Sequence, residues 1–146
     1  MQTDSAQTLT IYTDGGALGN PGIAASAYRI LNSNGVSIEE KGVPIGETTN
    51  NVAEFTAVRL ALTRVNELVE KGELAQPTQI NFISDSTLVV GVLSGKFKTK
   101  HENTIRMKQE VGEVMTKLFG TSFTFTHVLR EKNAEADALV KKAMGR

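Results

Sequence analysis

The stretch LTIYTDGGALGNPG, residues 9–22, decides the fold class of this chain. Its first half alternates apolar and polar side chains, a period of two that predicts a half-buried β-strand. Its second half, residues 15–22, is rich in glycine and contains Pro21, which predicts a turn. The next segment, about residues 23–31, is predicted to be a second strand. In a dinucleotide-binding fold, the glycine-rich turn would instead be followed by a helix. The chain therefore opens with a β-hairpin, and a dinucleotide-binding fold is disfavoured.

The rest of the chain continues with hairpins and then with helical crossovers. The turn sequence of residues 32–35 predicts a second hairpin. The later predicted elements are a strand over about 36–45, a helix over 49–71, a strand over 79–85, a short helix over 86–93, a helix over 103–118, a strand around 123–127 and a helix over 133–144. This order, βββαβααβα, predicts one mixed sheet with helices packed against it, in the α/β class.

Length and composition limit the function classes. The 146 residues suit a single domain over 1–146, and the polar segment 1–7 is expected to be a flexible N-terminus. Sixteen basic side chains balance sixteen acidic ones, so local clustering must hold any polyanion. The absence of cysteine excludes a disulfide scaffold and a thiolate site. Without an apolar span or a secretory signal, we expect a cytoplasmic protein whose chemistry depends on carboxylates.

Glu54 is the most informative of these carboxylates. On a helical wheel of residues 49–71 it lies inside an apolar stripe. That stripe consists of Phe55, Val58, Ala61, Leu62, Val65, Leu68 and Val69. An unpaired carboxylate in such a position costs several kcal/mol of desolvation. Glu54 is therefore either a functional acid or a structural one, in a buried salt bridge or favoured by the helix dipole.

Three further acids occupy suggestive positions. Asp14 and Asp85 each end a predicted strand, where the active sites of α/β sheets commonly gather. Asp14 also suits a turn before two glycines, and Asp85 also suits the cap of the next helix. Asp137 lies at the edge of the apolar stripe of the last helix, where a boundary residue is equally expected. Spacing alone leaves the convergence of these acids open.

If these acids came together in the fold, they would form a site for divalent metal ions. Carboxylates that share one site repel one another and take up protons unless cations intervene. All-oxygen ligation selects Mg²⁺ or Mn²⁺ over zinc. Two such ions about 4 Å apart activate a water and stabilise the leaving oxygen of a phosphate displacement.

The surroundings of the four acids resemble the four motifs of type 1 ribonuclease H. The matching segments are Thr13-Asp-Gly-Gly-Ala-Leu-Gly-Asn-Pro-Gly22, Thr48-Thr-Asn-Asn-Val-Ala-Glu54, Ser84-Asp-Ser86 and Asn133-Ala-Glu-Ala-Asp137. They occur in the order of that family and span roughly residues 8–144. The resemblance implies the ribonuclease H fold, a five-stranded mixed sheet with helices on both faces.

The same resemblance implies an activity and its residues. The activity is hydrolysis of the RNA strand of an RNA/DNA hybrid by two Mg²⁺ ions, with Mn²⁺ able to substitute, leaving 5′-phosphate and 3′-hydroxyl ends. The implied metal-binding and catalytic tetrad is Asp14, Glu54, Asp85 and Asp137. The implied substrate contacts are Gly15, Asn20, Asn50, Asn51 and Ser86. A short amide suits the minor groove because it both donates to and accepts from 2′-hydroxyls. We expect the protein to be a monomer and to have no membrane partner.

The chain departs from the longer bacterial members in two connections. Residues 93–103 are too short for their basic protrusion, and residues 128–132 replace their histidine-bearing loop. This pattern is closer to the compact members of the family. His127, Arg130 and Lys132 are therefore auxiliary candidates for helping the leaving phosphate depart, although His127 equally suits a structural strand end.

A basic loop over residues 95–101 carries Lys96, Lys98 and Lys100. Such a run is either an ordinary solvated surface or a set of phosphate contacts beside the site. We favour phosphate contacts, because a neutral protein needs a local positive field to hold a duplex.

Two alternatives to the hybrid nuclease remain open from the sequence. One is a non-catalytic nucleic-acid-binding module of the same fold, since fold alone does not establish function. The other is a nuclease of this fold that acts on double-stranded RNA. The presence of all four acids disfavours the first, and the pair Asn50-Asn51 favours hybrids over the second.

Overall fold

The computed structural model describes residues 7–145, and within them the predicted order of strands and helices is confirmed. The strands are β1 (Thr8–Leu18), β2 (Gly22–Leu31), β3 (Ser37–Thr48), β4 (Gln79–Ser84) and β5 (Ser122–His127). The helices are α1 (Asn50–Glu70), α2 (Thr87–Leu93), α3 (Glu102–Thr116) and α4 (Ala134–Ala143), with a short 3-10 turn, Arg130–Asn133, before α4. Residues 1–6 of the expected flexible N-terminus lie outside the described residues. Gln7 is described, and its carbonyl accepts a hydrogen bond from Thr78 N–H.

The five strands form one mixed sheet in the order β3-β2-β1-β4-β5. The hairpin strands β1, β2 and β3 are antiparallel neighbours, whereas β1, β4 and β5 run parallel. Tyr12 of β1 pairs with Ile83 of β4, so two residues further on Asp14 comes level with Asp85. The topology therefore places two of the candidate acids side by side on the adjacent strands β1 and β4, at the carboxyl end of β4.

The first strand is longer than the sequence predicts. Residues 15–18, expected to form a turn, continue β1 and pair with β2, Gly15 with Ser26 and Leu18 with Ile23. The expected turn is wrong for these residues, because cross-strand backbone pairing overrides the local preference of glycine for turns. Only residues 19–21 turn between the two strands.

The main core lies between one face of the sheet and helix α1. The predicted apolar stripe of α1 is buried at Phe55, Leu62 and Val65, each at most 1% exposed, and packs on Ile11 and Ile30 of the sheet. The Thr49 side chain caps the start of α1 by accepting from Val52 N–H at 3.2 Å. The 3.6-residue period therefore predicted the buried face of this helix correctly.

The opposite face of the sheet is covered in part by α4. Val140 packs there against Ala25 and Ala27 of β2, which confirms the prediction of helices on both faces. Gly42 of β3 lets the helix come close, because a side chain there would meet the Leu139 carbonyl oxygen at 2.5 Å. Among residues 7–145, no helix has the length and apolar character that crossing a membrane requires.

Candidate metal centre

Three acids from three separate elements meet at one point of the structure. Asp14 lies in β1, Glu54 near the start of α1, and Asp85 directly after β4. Each offers a carboxylate oxygen, and these three oxygens all lie within 4.8 Å of one another. We call Asp14, Glu54 and Asp85 the acidic triad.

The close approach of α1 to the sheet places Glu54 in this triad. Gly15 lies against the backbone of Ala53, and a Cβ on Gly15 would overlap the Ala53 carbonyl. On the neighbouring strand, the Ser26 hydroxyl donates a buried hydrogen bond of 2.7 Å to the same carbonyl. The helix therefore begins in direct contact with β1 and β2, and Glu54 is directed to the carboxylate that precedes Gly15.

The environment of the triad opposes negative charge. Burial first, and then the charges of Asp85 and Asp137, raise the pKa of Asp14 to about 8. Burial first, and then the charges of Asp14 and Asp85, raise the pKa of Glu54 to about 9. Burial also raises the pKa of Asp85, against the opposing charge of Arg130. Crowded carboxylates of this kind bind either protons or cations.

The donor set fits a hard divalent cation. Within residues 7–145, Oε1 of Glu54 and Oδ2 of Asp85 are buried and have no hydrogen-bond partner. Buried polar atoms are normally paired, so these two oxygens mark a place where a ligand completes the site. No salt bridge involves Glu54 among the described residues, which disfavours the alternative of a buried salt bridge there. Carboxylate oxygens are the ligands that Mg²⁺ and Mn²⁺ prefer in proteins.

Asp137, the fourth predicted acid, lies beside the triad but is held differently. Arg130 Nη2 is 3.2 Å from its Oδ1, and Lys141 Nζ is 3.1 Å from its Oδ2. Partial burial acts to raise the pKa of Asp137, but the hydrogen bonds from Lys141 and Arg130 outweigh it and the pKa is lowered. Among residues 7–145, Asp137 is therefore the one acid of the four with two cationic partners in salt-bridge contact.

A groove of about 490 Å³ runs over these groups. Its walls include Asp14, Glu54, Asp85, Asp137, Asn50, Arg130 and Lys141. Lys141 was not a candidate in the sequence, although its spacing from Asp137, four residues along one helix, was a local signal for an ion pair. The groove therefore brings the four candidate acids together with two cationic side chains.

Asn133, the first residue of the fourth motif, has a structural role that the sequence did not indicate. It is 1% exposed, and its Nδ2 donates to the Thr13 carbonyl at 2.8 Å. The same amide acts to lower the pKa of Asp85. Asn133 therefore joins the segment that carries Asp137 to the strand that carries Asp14.

The asparagines near the groove are joined to one another through their carbonyl oxygens. The Asn20 side chain accepts from Asn50 N–H at 2.9 Å, and the Asn50 side chain accepts from Ala17 N–H at 2.9 Å. Asn51 is exposed beside them. These bonds engage the carbonyl oxygens of the exposed Asn20 and Asn50 side chains, and leave their NH₂ groups as the donors of these two amides.

Two other predicted substrate contacts, Ser86 and Gly15, have structural roles in this fold. Ser86 caps α2, accepting from Val89 N–H at 3.1 Å, so the cap is Ser86 and the alternative role of Asp85 as cap is wrong. Gly15 provides the space for Ala53 described above. Their contact with substrate stays a prediction.

The auxiliary candidates Arg130, Lys132 and His127 lie at different places in the fold. Arg130 lines it, whereas Lys132 is exposed on the 3-10 turn. His127 ends β5 beside Ser84, and its charge acts to lower the pKa of Asp85.

The basic loop follows α2, and its lysines Lys96, Lys98 and Lys100 are exposed. The loop is attached through Phe97, whose N–H donates to the Gly91 carbonyl at 2.8 Å. A side chain on Gly91 would overlap the Phe97 ring. Helix α2, which spans seven residues or about 10 Å at 1.5 Å per residue, lies between Asp85 and the loop along the chain.

Solved structures define the class of this fold. The chain superimposes on the RNase H1 of the halophilic archaeon Halobacterium salinarum with a TM-score of 0.81 and 32% identity, covering 94% of this chain and 98% of that one. It superimposes on LC11-RNase H1, determined in complex with an RNA/DNA hybrid, with a TM-score of 0.85 and 35% identity, covering 94% and 96% of the two chains. The class is therefore that of the RNase H1 structures.

Sequence comparison agrees with the structural one. The RNase H family model matches residues 6–145. The Ribonuclease HI of Halobacterium salinarum is 31% identical over 144 residues, 99% of this chain and 68% of that protein. The bifunctional protein Rv2228c of Mycobacterium tuberculosis is 28% identical over 137 residues, and this chain spans 35% of its length. The chain belongs to the RNase H family.

Proposed function

We propose that this protein is a ribonuclease H that hydrolyses the RNA strand of RNA/DNA hybrids at the acidic triad, leaving 5′-phosphate and 3′-hydroxyl ends. The single observation that carries the proposal is the convergence of Asp14, Glu54 and Asp85 within 4.8 Å in a chain of this family. A relative of the same fold, LC11-RNase H1, was determined with an RNA/DNA hybrid, which supports the choice of substrate.

The triad and Asp137 are the residues that would hold two divalent ions, Mg²⁺ by preference and Mn²⁺ as a substitute. Bound ions would activate the attacking water and neutralise the charge that develops on the phosphate and the leaving oxygen. The protein contributes a rigid arrangement of donors, since Asp14 lies in a strand, Glu54 in a helix, and Asp85 next to the Ser86 cap. Such preorganisation means that few groups must reorganise during the reaction.

The NH₂ groups of Asn20 and Asn50, together with Asn51, are the proposed minor-groove contacts. Their carbonyl oxygens are engaged within the protein at 2.9 Å, so each amide presents a donor in a fixed direction. A donor suits the 2′-hydroxyl oxygen, the group that distinguishes RNA from DNA. These residues therefore select the strand to be cut.

The basic loop and Arg130 are proposed to act on phosphates. Lys96, Lys98 and Lys100 are exposed beyond α2 and suit the duplex backbone away from the cut. Arg130 lies in the groove itself, within hydrogen-bond distance of Asp137. Its guanidinium is therefore our first candidate for assisting the departing phosphate, ahead of His127 at the end of β5 and Lys132 on the 3-10 turn. The monomeric state and the cytoplasmic location stay predictions.

The test compares four end-labelled substrates: hybrid, duplex RNA, duplex DNA and single strands, each with Mg²⁺ or Mn²⁺. The expected result is cleavage of only the RNA strand of the hybrid, abolished by chelation and by Asp14→Asn. Binding of the hybrid without cleavage under either ion would contradict the proposal and support a non-catalytic module. Equal cleavage of duplex RNA would contradict the choice of substrate.

A further inference from the structure

The two cations on Asp137 distinguish this acid from the triad. Lys141 Nζ lies 3.1 Å from Oδ2 of Asp137, and Arg130 Nη2 lies 3.2 Å from Oδ1. Both carboxylate oxygens therefore already face a positive charge that the chain supplies. In the triad, by contrast, Glu54 Oε1 and Asp85 Oδ2 are buried without a partner among the described residues.

Because of this difference, the acidic triad and Asp137 are expected to differ in their affinity for a divalent ion. A hard cation needs ionised carboxylate oxygens with open lone pairs. The triad offers three oxygens from three residues, whereas an ion that takes a ligand from Asp137 must displace a fixed cation or bind beside it. Like charges repel at these distances even where water screens them.

Lys141 is the more constrained of the two cations. It stands on α4 four residues after Asp137, the spacing and order in which an acid and a lysine pair best on a helix. Its side chain is 50% exposed, whereas that of Arg130 is 74% exposed and projects from the short 3-10 turn. Arg130 is thus the more exposed partner, whereas Lys141 shares a helix with Asp137 and keeps its four-residue spacing from it as long as α4 is formed.

We propose that Lys141 is a positioning residue that pairs with Asp137 and makes the divalent-ion site containing Asp137 weaker than it would be without this cation. This inference rests on the proposed function, and it adds a role for a residue outside the four acids. Lys141 would thus set the concentration at which a divalent ion can take a ligand from Asp137.

The experiment measures Mn²⁺ binding to the full chain without nucleic acid, by electron paramagnetic resonance of the free ion. The wild type is compared with Lys141→Gln and Lys141→Arg, and Asp137→Asn identifies the binding that depends on Asp137. Lys141→Gln should tighten that binding by about fivefold, the size expected for removing one solvent-screened charge pair. Lys141→Arg keeps the cation and should leave it as weak as in the wild type.

Lys142→Gln is the matched control, because it removes the same charge from the next residue of α4. Its Mn²⁺ affinity should equal that of the wild type. Equal Mn²⁺ binding by Lys141→Gln and the wild type would overturn the inference, and so would equal tightening in Lys142→Gln. Failure of the wild type to cleave a hybrid contradicts the proposed function instead, and leaves the Mn²⁺ comparison readable.

Discussion

Gly15 of β1 lies so close to Ala53 of α1 that a Cβ on Gly15 would come 2.5 Å from the backbone nitrogen of Glu54. The chain neighbours of this contact are Asp14 on one side and Glu54 on the other. The missing side chain of one glycine thus brings together a strand acid and a helix acid. The geometry of the candidate metal centre thus depends on a packing contact between two residues without ionisable side chains.

Substitution of Gly15 by alanine should therefore damage fold and site together. The added methyl must push α1 away from β1, and overpacking of this kind costs about 1–3 kcal/mol. We expect a lower melting temperature and weaker Mg²⁺ binding, measured by thermal unfolding and by calorimetry. Gly16→Ala is the matched control, because a Cβ there meets Val140 Cγ1 at an ordinary 3.6 Å. Equal effects of the two substitutions would show that the Ala53 contact does not position Glu54.

Glu54→Gln should separate stability from activity. The change removes a carboxylate that burial and two neighbouring charges disfavour, so the metal-free protein should unfold at the same or a higher temperature. Cleavage of the hybrid should fall by about 10²–10³-fold, the usual loss when one charge-stabilising group is removed. Glu73→Gln, at an exposed position after α1, is the control for both measurements. A large loss of melting temperature in Glu54→Gln would identify Glu54 as a structural acid.

The raised pKa values of Asp14 and Glu54 predict a pH dependence with a definite sign. Both carboxyls hold protons more tightly in the folded protein, with pKa values of about 8 and about 9, than in the unfolded chain, where they titrate near 4. Their contribution to stability is complete below about pH 4, and is lost as the pH rises through 8 to 9. Without metal, the wild type should thus lose stability relative to Asp14→Asn/Glu54→Gln as the pH rises.

The measurement is the difference in melting temperature between these two proteins in chelator, from pH 5 to pH 9. A decrease of several degrees is expected for the wild type relative to the variant. Saturating Mg²⁺ should remove the decrease in the wild type alone, since the ion takes the place of the protons. A difference that stays constant over this range, or that changes in the opposite direction, would show that the two carboxyls are not crowded.

The sequence predicted those parts of the centre that follow from local periodicity. Glu54 was found because the helical period places it among apolar residues, and that period depends only on neighbours along the chain. Asp14 and Asp85 were found because each follows a strand pattern. Whether Asp14 and Asp85 come together depends on which strands become parallel neighbours. The expectation that they do came from the resemblance to the motifs of the family.

The parts that were missed depend on the rest of the fold. The continuation of β1 through Gly15 and Gly16 reflects pairing with β2 and the approach of α1, whereas glycine by itself indicates a turn. The cations on Asp137 come from two elements, and only the Lys141 pair had a local signal. The assignment of Ser86 as the cap of α2 was a choice between adjacent residues, which hydrogen-bond geometry decides.

The basic loop provides the last prediction, which concerns binding rather than chemistry. Replacement of Lys96, Lys98 and Lys100 by glutamine should weaken binding of a hybrid and make it less dependent on salt, because each lost phosphate contact releases about one counterion fewer. The slope of log affinity against log salt should fall by about one per contact, hence by about three at most. Binding is measured in the Asp14→Asn background, so that the RNA strand stays intact.

The matched control removes the same charge elsewhere, through glutamine at Lys41, Lys71 and Lys117, which are all exposed outside the loop. This triple variant should keep the slope of the wild type if the field that holds the duplex is local. An equal decrease in both triple variants would mean that net charge, and not the loop, holds the hybrid. An unchanged slope in the loop variant would make these lysines an ordinary solvated surface, and binding would then depend on the groove and its asparagines.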